Sequence, residues 1–312
     1  MKPFFSVIIP LYNKERHIKN TLESVLAQTF QDFEVLVVND GSTDHSESEA
    51  NAVTDDRIQL FTIENHGVSF ARNHGVSKSN SDFIVLLDAD DYWHPHHLEN
   101  LKNLYSNFPN CGMYGTAYNY QFNRKTVASV YNQIPTQAHW QGVVNDFFVN
   151  STINCIASAS TVMIPKRIYE SLGGFNTHYD SGEDIDFWIR IALQHDVAFT
   201  NAVSATINMN VENQASQKNI NNKKLIDFDV FKEEITNRSL QTYLDLNRFS
   251  IAIQHIIAGN TKKAKDLIKK IDKNNLNAQQ RFLLQMNAPV LKLLMRTKNL
   301  LRNNGIGLSP FR

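Results

Sequence analysis

Cysteine, net charge and long apolar runs are all scarce in this chain, and each scarcity removes a class of protein. Two cysteines, Cys111 and Cys155, occur in 312 residues. They form neither a CxxC zinc pattern nor a disulfide framework, a usage that fits a reducing cytoplasm. No apolar run approaches the ~18 residues that a membrane-spanning helix needs. The start, Met1 to Pro10, has a short apolar stretch closed by proline and no credible cleavage site, so it reads as a first strand and not as a signal peptide. There is no G-x-G-x-x-G fingerprint and no G-x-x-x-x-G-K-[ST] loop, which weighs against dehydrogenases and phosphate-loop NTPases. Fixed-period repeats and low-complexity linkers are missing as well. What remains is 42% hydrophobic and 20% charged residues, the composition of a soluble globular protein. A chain of this size can bury about 75% of its unfolded surface.

The zero net charge, 31 basic against 31 acidic residues, is an average over unlike parts. From Lys262 to Arg312 there are 12 Lys and Arg but 2 Asp and Glu, leaving 19 basic and 29 acidic residues in the rest. Such asymmetry suggests a division of labour.

The first ~110 residues alternate β-rich runs with helical patterns. Phe4–Ile9, Phe33–Val38, Ile58–Ile63 and Phe83–Leu87 are strand candidates, and the near-continuous apolar runs among them suit a parallel sheet covered on both faces. Ile18, Leu22, Val25 and Leu26 recur at helical spacing, Ser69–Val76 reads as a short helix, and Pro95 opens another running to about Phe108. This rhythm implies βαβ units and a Rossmann-like, doubly wound, mostly parallel α/β sheet. The middle is mixed, with strands expected at Tyr114–Tyr120, Thr126–Tyr131 and Ser160–Pro165, a hairpin turn at Arg124-Lys125, and a helix at Ile185–Gln194. From about Asn219 onward the pattern is helical.

Ligands of doubly wound sheets bind beyond the carboxyl ends of the strands. There the chain places Pro10-Leu11-Tyr12-Asn13, Asn39-Asp40-Gly41-Ser42 and Asp88-Ala89-Asp90-Asp91. Gly41 supplies a tight turn that lets Asp40 face the crevice, where a carboxylate suits a base N–H or a ribose hydroxyl. Asp88 and Asp90 need a turn to reach one ligand, because side chains two apart in a strand point oppositely. Mg²⁺ commonly takes one or two such carboxylates and completes its shell with water and phosphate. Gly182-Glu183-Asp184-Ile185-Asp186 opens a helix, either as acids capping a first turn or as the source of a general base. Asp184 shares a helical face with Phe187, Trp188 and Ile191, so Trp188 is either core or a platform for a sugar. His94, His96 and His97 flank Pro95 without a fourth zinc ligand and read as surface histidines.

Together these segments resemble the family 2 glycosyltransferases of the GT-A fold. The resemblance spans about residues 4–212. It rests on Ser6–Asn13 with Leu22–Thr29, Phe33–Asp44, Asn65–Gly75 with its Ala71-Arg72-Asn73, Asp88-Ala89-Asp90, and Gly173-Gly174-Phe175 with Gly182-Glu183-Asp184. It implies a GT-A catalytic domain at 1–215, with a nucleotide-binding half at 1–110 and an acceptor-side half at 111–215. A basic helical region follows at 216–312. Pro10, Tyr12, Asp40 and Arg72 are then expected to line the nucleotide pocket, Tyr12 and Arg72 near the base. Asp88 is expected by the ribose and metal, and Asp90 on a Mg²⁺ or Mn²⁺ ion bound to the diphosphate. Asp184 is the implied base, with Glu183 and Trp188 on the acceptor side. The implied reaction inverts the anomeric centre in one displacement. The donor is a nucleotide sugar, a UDP-sugar first and a GDP- or dTDP-sugar second, and the acceptor a surface glycan or lipid-linked sugar. A catalytically dead sugar-binding scaffold is the alternative from another class.

Two features depart from relatives. The stretch Asn208–Asn213 lacks the histidine that many carry after the acceptor helix. The Gln-x-x-Arg-Trp motif of processive synthases is also missing, which favours transfer of a single sugar. The basic amphipathic tail either packs as a helical hairpin or lies on the anionic inner face of a membrane. No nucleic-acid motif accompanies its charge.

Overall fold

The computed structural model describes residues 2–123, 125–212, 219–303 and 309–311. Its first part runs β1 (Phe5–Leu11), α1 (Ile18–Leu26), β2 (Phe33–Asp40), α2 (Ser46–Asn51), β3 (Ile58–Ile63), α3 (Val68–Lys78) and β4 (Phe83–Leu86). Every residue of β2 is buried, as two covered faces require. Helix α1 buries Ile18, Thr21, Leu22 and Val25, one stripe at helical spacing.

The chain continues through β5 (Tyr92–Trp93), α4 (His97–Asn107), β6 (Met113–Phe122), β7 (Lys125–Ala128), β8 (Gln141–Val143) and α5 (Phe147–Asn150). It goes on to β9 (Val162–Pro165), α6 (Lys166–Ser171), α7 (Glu183–Ala192) and β10 (Val197–Asn208). The strands form one sheet in the order β3-β2-β1-β4-β9-β6-β10-β5, with β7 added to β6 and β8 to β10. The β3-β2-β1-β4 half is parallel throughout. In the other half β9 pairs antiparallel with both β4 and β6, while β6 and β10 are parallel. The expected doubly wound α/β sheet is present, and the second half adds strands of mixed direction.

Sequence periodicity did not predict β10, the longest strand at 12 residues. It pairs with β6 through two register shifts, between Thr200 and Val203 and between Val203 and Ala205. Asn201 and Ala202 fall in this irregularity and break the alternation. Phe122 pairs with Lys125, closing the β6–β7 hairpin; Arg124 lies outside the described residues.

Beyond the sheet come α8 (Arg238–Ile257), α9 (Thr261–Lys270), α10 (Ala278–Leu283) and α11 (Ala288–Asn303). Asn237 caps α8 by accepting the Leu240 N–H at 3.0 Å. Leu240, Tyr243 and Leu244 of α8 enter the same core as Phe175, Phe187 and Trp188. Further along α8, Leu246 and Phe249 form a separate small cluster with Ile271 and Leu276. The helical region is therefore fixed to the sheet domain through one face of α8 together with Ile226, Phe228 and Phe231, which enter the same core.

Candidate active site

The ends of β1, β2 and β4 lie side by side. Ile8 is opposite Leu86, and Leu11 is opposite Asn39. Tyr12, just beyond β1, is 37% exposed, an aromatic ring left open at the strand ends beside half-buried Pro10. Asp40 ends β2, and Gly41 follows with φ +68°, where an added Cβ would lie 2.9 Å from the Asn65 nitrogen. The turn is as tight as expected, but the carboxylate of Asp40 is 3% exposed. Its oxygens accept the His66 and Gly67 N–H groups at 2.7 and 2.8 Å. Burial raises its pKa, opposed by those two bonds. Asp40 thus faces and fixes the 65–67 loop, a correction to its expected place open to the crevice.

Asp88, Arg72, Glu183 and Asp184 form one charge cluster. Arg72, 3% exposed on α3, donates to Asp88 Oδ1 at 2.8 Å and to Glu183 Oε1 at 3.2 Å. Its guanidinium also lies over the Phe175 ring, 4.9 Å from the centroid. The guanidinium expected near a base is instead committed to these two carboxylates, and it ties the β4 end to the start of α7. Asp184, the next residue on α7, is half-buried, and its carboxyl is pushed up to about 6. Burial is the main cause and the charge of Glu183 adds to it, while the Ile185 N–H and Arg72 oppose the shift.

Helix α7 is held in place from behind. Arg190 pairs with buried Asp186 at 2.6 Å and donates to the carbonyls of Leu172 and Gly174 at 2.6 and 2.7 Å. Gly174 has φ +66°, and a Cβ there would lie 2.6 Å from Asn73 Oδ1, which accepts the Phe175 N–H. The Gly173-Gly174-Phe175 turn is therefore clasped between α3 and α7. Trp188 is 1% exposed and packs with Phe175 and Phe187. Its ring packs in the core, the first of the two readings left open, while the residue also borders a cavity beside Asp184.

The Asp88–Asp91 segment turns as the two carboxylates require, closed by the Asp91 N–H to Asp88 carbonyl bond at 3.1 Å. Asp91 leaves the cluster: it is 4% exposed and accepts from Ser160 Oγ at 2.5 Å and the Asn208 N–H at 2.8 Å. Burial, with the charges of Asp90 and Asp88, holds its pKa well above the usual range. Asp90 lies 2.9 Å from Lys14 Nζ, and Lys14 also donates to the Glu212 carbonyl at 2.9 Å. The Glu212 carboxylate pairs with Arg16 at 2.7 Å. The segment without a histidine therefore returns to the β1–α1 loop through Glu212; its last residue, Asn213, lies outside the described residues. Lys14 and Glu212 were missed by sequence reasoning, since nothing local links residues so far apart.

Among the described residues no three His, Cys, Asp or Glu side chains converge into a metal cage. Asp88 and Asp90 still fit a hard divalent ion that takes most of its oxygens from a diphosphate and water. The three histidines near Pro95 do not all lie on the surface as expected. His97 is fully buried, stacked 4.3 Å from Trp93, with Nδ1 2.8 Å from Ser204 Oγ. His94 is half-buried, while His96 is exposed.

Residues 6–169 match glycosyl transferase family 2, and the chain belongs to that family of transferases. It is 28% identical over 287 residues to an uncharacterized glycosyltransferase of Rickettsia felis, covering 88% of this chain and 46% of that protein. An uncharacterized glycosyltransferase of Rickettsia bellii is 31% identical over 192 residues, 61% of this chain and 27% of its own length. The chain thus spans less than half of these two relatives. Its fold is that of S. aureus TarS residues 1–349, solved in complex with UDP-GlcNAc. The two superpose with a TM-score of 0.65 at 18% identity, covering 95% of this chain and 92% of TarS 1–349. The GT-A fold expected from the motifs is therefore the fold observed.

Proposed function

We propose that this chain is an inverting glycosyltransferase that moves one sugar from a UDP-sugar to an acceptor hydroxyl, with Asp184 as the base. The observation that carries this reading is Asp184 itself. Its carboxyl, pushed up to about 6, stands beside the Arg72–Asp88 pair at the carboxyl ends of the parallel strands. Asp184 accepts the proton of the acceptor hydroxyl as that oxygen bonds to the anomeric carbon. The bond from that carbon to the diphosphate breaks, and the diphosphate leaves with the electron pair.

Tyr12 and Pro10 suit the wall of the nucleotide pocket, and Asp40 shapes it by holding the 65–67 loop. Asp88 and Asp90 would hold Mg²⁺ or Mn²⁺, which offsets charge developing on a leaving diphosphate. Lys14, already at Asp90, supplies a second positive group on that side. UDP is favoured over GDP or dTDP because TarS, of the same fold, binds UDP-GlcNAc. Intact Asp90 and Asp184 argue against an inactive scaffold.

The expected result is Mn²⁺-stimulated hydrolysis of a UDP-sugar that Asp90→Ala abolishes. Hydrolysis untouched by Asp90→Ala would remove the metal assignment. Failure to bind any nucleotide sugar would leave the scaffold.

The tail has its own proposal, peripheral contact with an anionic membrane, where a lipid-linked acceptor would reside. Among the described residues no helix is long and apolar enough to cross a membrane. Helix α11 buries Leu291 but leaves Leu293 64% and Leu294 44% exposed beside Lys292 and Arg296, the apolar and basic mixture of a surface-lying helix.

A further inference from the structure

A cavity of about 240 Å³ lies between α7 and α8. Asp184 and Trp188, one helical turn apart, line its α7 side. Tyr243, Asn247 and Ser250, spaced as one face of a helix, line its α8 side. We infer that this cavity is the acceptor subsite and takes one uncharged sugar ring, with α8 of the tail supplying the wall opposite the base. The inference rests on the transferase reading above, because it takes Asp184 as the base.

Three observations carry it. Asp184 belongs both to the charge cluster with Arg72 and to the cavity lining, so a hydroxyl seated in the cavity adjoins the strand ends where the donor would react. Trp188 Nε1 is buried and has no hydrogen-bond partner among the described residues. A buried donor left unsatisfied is destabilising, and a sugar oxygen entering the cavity would accept from it. The lining also mixes three aromatic rings, those of Trp188, Tyr243 and Phe311, with one amide, hydroxyls and apolar groups, and has no Lys, Arg or His among the described residues. Such walls suit the C–H faces and hydroxyls of a neutral sugar and lack the cations that a phosphate or carboxylate needs. The volume is below the roughly 300–1,000 Å³ of drug-sized sites, room for a single ring.

The three tryptophans, Trp93, Trp140 and Trp188, make a direct test possible. Their indole ¹⁵N–¹H signals would be recorded with saturating UDP during titration with methyl β-D-glucopyranoside, the Trp188 signal being assigned from Trp188→Phe. The Trp188 signal should move saturably while the other two stay put. Ser250→Phe, which fills the cavity, should weaken that titration at least tenfold with the UDP dissociation constant held within twofold by calorimetry. Asn247→Leu is the second variant should the first not fold, with the same expected loss. A Trp188 signal unmoved by the glycoside, or a titration that neither variant weakens, overturns the subsite. Tighter binding of glucose 1-phosphate than of the glycoside overturns its neutral character. Glycoside binding at Trp188 without any UDP-sugar hydrolysis would sink the donor chemistry instead and leave the ring site standing.

Discussion

Ionising Asp184 at neutral pH puts a charge where burial and Glu183 oppose it and Arg72 offsets them only in part. Its folded pKa lies above the unfolded value of 3.8, so the protonated form is favoured by folding, and stability is lost as pH rises from about 4 through about 6. Asp184→Asn removes that cost, and the expected gain above pH 7 is about 1–2 kcal/mol after solvent screening, read as a higher unfolding midpoint. The same change should cut transfer by roughly 10²–10⁴-fold, the usual worth of a general base, with UDP affinity kept. Wild-type transfer should fall as pH drops through about 6, since only the carboxylate accepts a proton; a flat profile between pH 5 and 7 would exclude Asp184 as the base. The sequence made the acids at 88, 90 and 184 legible because each sits at a strand end or helix start that hydrophobic pattern locates. It did not reveal where Asp40, Arg72, Trp188 and His97 point, because partners such as the 66–67 N–H groups or Glu183 come from distant segments.

At the scale of elements, α7 and its approach depend on one clamp. Arg190 links Asp186, Leu172 and Gly174, and Asp186 is 4% exposed. Arg190→Ala leaves that buried carboxylate unpaired, for an expected loss of about 3 kcal/mol by urea unfolding. A loss below about 1 kcal/mol would mean that Asp186 finds water or another donor. Elements with strong period, such as α1, α7 and the parallel strands, were legible from the chain alone. Strands β5 and β8 were not, at two and three residues each, too short to establish any alternation. Strand β10 was hidden by its own bulge, so the element that completes the second half of the sheet carried the weakest signal.

For the whole molecule, the charge asymmetry separates along the fold. The acidic clusters gather at the strand ends, and the basic excess lies in the helices from α9 onward. The protein should sediment with anionic vesicles at low salt and be released as salt rises. Leu293→Asp with Leu294→Asp should abolish sedimentation without altering UDP affinity, and retention by neutral vesicles alone would contradict the basic face. Helix α8 joins the two parts, packing into the main core at Leu240 and Leu244 and facing the base across the cavity.

The placement of β10 also governs how the chain acquires its shape. Strand β6 must wait for residues 197–208 to gain its parallel partner, more than eighty positions later in synthesis. During that interval the half from β1 to β4 can assemble from neighbouring segments, whereas β6 presents an unpaired edge. Long-range parallel pairing is slow and leaves such edges exposed to other chains. A polypeptide ended before Val197 should therefore retain its βαβ layer yet associate through β6, so soluble expression is expected to depend on the segment that local pattern reveals least.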